Sequence, residues 1–126
     1  MKNKAALAIA LLMAFVTQAA NAKQLTKKEL SSRFEMNSFA AGSMKSCMNF
    51  TLAARLKSAT LELLSAHGAR NLSELDYRFE QGSDTTSARI NQTFGRGGLQ
   101  DKCDLDERAA RAALESTFDD IRSARR

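Results

Sequence analysis

The chain has 126 residues, 44% of them hydrophobic and 26% charged, with 19 basic side chains against 14 acidic ones. Those proportions exclude wholesale disorder, and the length holds one domain of ordinary size and no more. Pro and Trp are absent, and a chain without its strongest helix breaker leans toward helix.

Lys2 and Lys4 precede an unbroken apolar run from Ala5 to Val16, and Ala20-Asn21-Ala22 follows as an A-x-A cleavage site. This is the order of a secretory signal peptide, with cleavage expected before Lys23. The apolar run of about 12 residues is too short for a spanning helix, which takes about 20. The expectation is a leader over 1–22 and a single helical domain over 23–126. The address it implies is the periplasm, with release from the cell as the alternative. Loss of Lys2 and Lys4 leaves 17 basic residues against 14 acidic ones, a net charge of +3. The working protein is only mildly basic.

Within the remaining chain, Thr26-Lys27-Lys28-Glu29 has the form of a capping box. Leu30 and Phe34 follow at helical spacing, which predicts a short amphipathic helix from Lys27 to Glu35. Asn37-Ser38 then reads as a second start signal. From Phe39 to His67 apolar residues recur on one stripe, Met44, Cys47/Met48, Leu52, Leu56 and Leu63, and predict one long helix. Gly68 stands where a left-handed residue would end it.

The segment from Leu72 to Phe94 carries two patterns. Leu75, Tyr77 and Phe79 alternate as in a strand, with Gln81 to Thr86 as a turn-rich break. Leu72, Leu75 and Phe79 are also spaced for a helix capped by Ser73, and Ile90 and Phe94 for another. Short helices are favoured, because no β-branched cluster supports strands. Gly95-Arg96-Gly97-Gly98 reads as a flexible connection. Asp104 to Glu107 then supplies an acidic cap and first turn to a last helix, whose face is Ala110, Ala113/Leu114, Phe118 and Ile121.

Two cysteines, Cys47 and Cys103, allow a single intramolecular bridge in an oxidising compartment. The bridge would close a loop of about 57 residues, worth about 4 kcal/mol on the chain-entropy account. It would pin the start of the last helix to the middle of the long one. The fold class expected is therefore mainly α, a small single-domain helical bundle with one interhelical disulfide. The alternative is an α+β fold with a central β-hairpin between two main helices.

Catalytic signatures are thin. His67 is the only histidine, and at a helix C-terminus it has a structural role to fill. No metal site is expected, since one His and two bonded cysteines leave too few good ligands, and no cofactor is implied. Phe34, Met36, Phe39, Met44 and Met48 lie close together and form a possible partner surface, because thioethers adapt to irregular partners. Arg122, Arg125 and Arg126 form a possible anion-binding group. The function expected is a non-enzymatic, exported protein-binding factor, such as an accessory or chaperone of an envelope or secretion system, or an inhibitor or immunity protein. Its partner would be another envelope or secreted protein rather than nucleic acid. The alternatives are binding to a polyanion or envelope surface through the terminal arginines, and a small hydrolase using His67.

Overall fold

The computed structural model describes residues 24–95 and 99–126. The expected leader, 1–22, and the Arg96–Gly98 part of the glycine-rich connection lie outside the described residues. Four helices follow in order among those described, α1 (Lys27–Ser46), α2 (Phe50–Ala66), α3 (Leu72–Phe94) and α4 (Gln100–Ala124). This is the expected mainly helical bundle with one interhelical disulfide, and the β-hairpin alternative is not adopted.

The capping box opens α1 as its sequence dictates. The Glu29 backbone N–H donates to Thr26 Oγ1 at 3.0 Å, and the Thr26 N–H to Glu29 Oε1 at 2.9 Å. The helix does not stop at Glu35, however, and the long helix expected over Phe39–His67 is broken. Asn37 and Ser38 do not start a helix. They sit inside α1, fully or almost fully buried. The break comes at Cys47-Met48-Asn49, where the Asn49 N–H reaches the Met44 carbonyl at 2.7 Å and the Met48 N–H that of Lys45 at 3.0 Å. That is a Schellman ending with Met48 as its left-handed residue, at φ +64°. Asn49 then caps α2 by accepting from the Leu52 N–H at 3.1 Å. Glycine is the usual occupant of the left-handed position, so a methionine there gives no warning in the sequence. At the far end of α2 the same motif is built on Gly68, φ +94°, as its position foretold.

Residues 72–94 form one helix rather than two short ones, with Asn71 rather than Ser73 at the N-cap position and no side-chain cap hydrogen bond. The turn-rich stretch 81–86 is helical throughout. Its small residues serve packing: a Cβ on Gly42 of α1 would lie 2.6 Å from the Ser83 carbonyl oxygen. Ser38 Oγ donates to the Phe79 carbonyl at 2.9 Å and Ser46 Oγ to that of Ser87 at 3.1 Å. These pairs advance together, so α1 and α3 run parallel with their backbones close.

Helix α4 starts at Gln100, not at Asp104, and Cys103 lies in its first turn. The Cys47–Cys103 bridge, with Cα atoms 5.7 Å apart, therefore ties that turn to the end of α1, rather than to the middle of a long helix. Arg33 meets Asp120 at 2.7 Å and Asn37 meets Thr117, so α4 runs antiparallel to α1. Both α1 and α2 touch all three other helices, α1 the more extensively.

Ala41, Met44, Leu52, Leu56, Phe79, Ala110 and Leu114 form the centre of the core. Beside them lies a polar knot. Asn37, 0% exposed, donates through Nδ2 to Thr60 Oγ1 of α2 at 2.8 Å and to Thr117 Oγ1 of α4 at 2.9 Å. Each threonine hydroxyl donates back to its own helix, Thr60 to the Leu56 carbonyl and Thr117 to that of Ala113. Both hydroxyls thus present lone pairs, and only a donor fits between them.

Two expected outcomes follow from this packing. Asn37→Asp puts a carboxylate among acceptors and should cost at least about 3 kcal/mol at neutral pH, whereas Asn37→Leu orphans no hydroxyl and should stay within about 1.5 kcal/mol of wild type. Urea unfolding measures both, and equal losses would contradict the donor–acceptor assignment. Cys47→Ser should lower stability by about 2–5 kcal/mol, and an unchanged melting temperature would show that the bridge contributes nothing.

Candidate functional site

The expected partner surface divides when the chain folds. Met44 is fully buried in the core and cannot meet a partner. Its register on α1 points it at the neighbouring helices, and helical periodicity alone does not separate that from an exposed stripe. Phe34 is half-buried and packs edge-to-face on Phe79, ring centroids 5.6 Å apart. Met36 and Phe39 remain at the surface, 58% and 61% exposed. They stand three residues apart, one turn along α1, and so share a face. Met48 is 54% exposed, but it belongs to the α1–α2 turn beside the disulfide, away from that pair.

Around this turn lies a small cleft of about 200 Å³, where Met48 and Phe50 meet Lys45, Asp84, Ser87 and Asn91. Lys45 Nζ donates to Asp84 Oδ1 at 2.7 Å, Ser83 Oγ at 2.9 Å and Glu80 Oε2 at 3.0 Å. Burial opposes its charge, but the hydrogen bonds to Asp84 and Glu80 and their attraction outweigh it. The ammonium pKa is held above the ordinary lysine value of 10.5. Lys57 of α2, bound to Asp76 at 3.2 Å and Glu80 at 3.4 Å, is raised by the same opposition of burial and partners. The two lysines share Glu80 and so fasten α3 to both α1 and α2.

A second and larger concavity was not foreseen from the sequence. It is an open groove of about 640 Å³ along α2, with Phe118 of α4 on its other wall. Phe50, 55% exposed, stands at one end. Phe118 reads as an ordinary core position in the pattern of the last helix. Only the placement of α4 against α2 leaves both phenylalanines lining a groove.

His67 is a structural tie. Its Nε2 accepts from the Leu25 backbone N–H at 3.0 Å, while Nδ1 faces the Leu63 carbonyl at 3.0 Å. The ring therefore carries its proton on Nδ1. With both nitrogens engaged by backbone, the ring has no lone pair left to activate a hydroxyl. Of the terminal arginines, Arg122 is paired with Asp119 and Arg125 with Glu62 at 2.7 Å. Arg126 is exposed at the chain end. Among the described residues no His, Cys, Asp and Glu side chains gather into a metal-ligating group, and no helix is long and apolar enough to cross a membrane.

Comparison with protein families, with curated proteins and with solved structures finds no match to this chain. The site is accordingly defined by its own geometry.

The lysine pairs predict a pH profile. A pKa raised by folding contributes stability that is complete below the unfolded value and is lost as the pH rises through the folded one. Wild type should therefore exceed Lys45→Met in stability by a constant margin from neutrality up to about pH 10, and the two should converge above it. Denaturant unfolding across pH 7–12 checks this, and a margin undiminished at pH 12 would contradict it.

Proposed function

We propose that this chain is a non-enzymatic, exported factor that works by binding another protein through the outward face of α1. The observation that carries the reading is the exposure of Met36 and Phe39 together on a helix that the rest of the bundle holds fixed. Large apolar side chains one turn apart are the usual anchors of a helix-mediated contact, and a rigid helix spends little entropy in presenting them. Ser32 and Glu35 accompany them at the surface, as the polar rim of such a contact.

Two features support export to the periplasm. The basic, apolar and A-x-A segments stand in the order of a leader. The Cys47–Cys103 bridge accords with an oxidising compartment. An accessory or chaperone of an envelope or secretion system, or an inhibitor of another secreted protein, combines these traits.

The test is photo-cross-linking in intact cells, with a photoreactive residue at position 39 of the full-length chain and a control at the equally exposed Tyr77. Position 39 should yield one discrete protein adduct, absent from the control, on a processed chain beginning at Lys23. An unprocessed chain would overturn export, and identical adducts at both positions, or none at 39, would overturn the α1 interface.

A further inference from the structure

We propose that the groove along α2 is the seat of a second copy of this chain, in a two-fold dimer with α2 packed antiparallel against its counterpart. The groove is open and mostly apolar at its base, where Ala54, Ala59, Phe50 and Phe118 face it. The outward side of α2 is otherwise made of small residues, Thr51, Ala54 and Ser58, each about one turn from the next and all exposed apart from their own helix. Small residues permit close helix approach, as Gly42 does between α1 and α3 in this same molecule.

Charge selects the occupant. Arg55 and Glu62 both line the groove. They are seven residues apart, two turns or about 10 Å along the axis, and so lie on one face. Arg55 meets no acidic side chain of its own chain among the described residues. Glu62 is held on one side by Arg125, yet its side chain stays 45% exposed. Midway between the two lies the Ser58–Ala59 step. A two-fold axis passing beside that step, perpendicular to the helices, brings Arg55 of each copy level with Glu62 of the other.

Both charges lie on the same edge of α2, and the rotation preserves that edge, so the two ion pairs form together. A face that carries opposite charges at equal distances from its centre is self-complementary, which is what an isologous contact demands. A partner of other chemistry has no need of that symmetry. Met36 and Phe39 are not part of the groove, so the dimer leaves one α1 face free on each copy. The inference thus stands apart from the partner reading and extends it to two binding faces per particle.

The experiment is sedimentation equilibrium of the exported, oxidised full-chain product at low salt, for wild type, Arg55→Glu, Glu62→Arg and the double swap. Wild type should be a dimer. Each single variant sets like charges against each other twice and should weaken association at least tenfold, and the double swap should recover it to within threefold. Circular dichroism establishes that each variant is folded. Independently, Ser58→Cys should form a covalent dimer on mild oxidation, because position 58 adjoins its own copy at the axis, whereas Ser73→Cys should not. Wild type that stays monomeric at millimolar concentration, single variants that associate like wild type, or no bond through position 58 would each overturn the dimer. A foreign protein captured at position 58 by a monomeric chain would give the groove to another partner and overturn it equally.

Discussion

The structure turns on the buried amide of Asn37. A fully desolvated carboxamide is costly where its groups go unpaired; here its donors are met by two threonine hydroxyls on two different helices, while its Oδ1 has no hydrogen-bond partner among the described residues. Because each hydroxyl spends its own proton on a carbonyl of its own helix, each can only accept. A slip of any of the three helices by one residue would strand the amide among apolar groups. The knot therefore sets the register of α1, α2 and α4 at one level, in the way a single buried polar residue sets register in a coiled coil.

From that level the rest of the bundle can be read outward. Toward α3, α1 offers Ser38, Gly42 and Ser46, and the two helices meet through side chain-to-carbonyl hydrogen bonds beside the apolar Phe34–Phe79 contact. The lysine–carboxylate cluster closes the flank of that contact. At one end the disulfide joins the last residue of the α1 turn to the first turn of α4, and at the other His67 holds the entering chain at Leu25. The central helix is thus restrained along its length. Apolar side chains left on its outer face are presented by a backbone that cannot retreat from them, which is the physical basis for reading Met36 and Phe39 as anchors.

Much of this architecture was legible in local patterns. The capping box at Thr26, the end of α2 at Gly68 and the buried face of α4 at Ala110, Leu114 and Ile121 all follow rules that act within a turn or two. Two of the errors share one cause. Asn37 and Ser38 read as a cap, and Gln81 to Thr86 as a turn, because small polar residues favour those places in an isolated chain. In the folded chain the same residues let helices approach closely and find partners across the interface. A periodicity argument registers apolar stripes and has no means of seeing a polar one. For the same reason the partner surface was legible only in part: Met36 and Phe39 stay outside, while Met44 goes in, one helical register apart.

Composition and order along the chain determined that this protein leans to helix, that its two cysteines allow a single intramolecular bridge, and that a basic and apolar segment with an A-x-A site precedes a mildly basic remainder. Those properties are local or arithmetical and need no neighbours. Which aromatics would stay exposed, where the long apolar run would break and how α2 and α4 would leave a groove between them were decided only in three dimensions. Each of those outcomes depends on whether another helix arrives to cover a given face, and that depends on contacts between residues far apart in the chain.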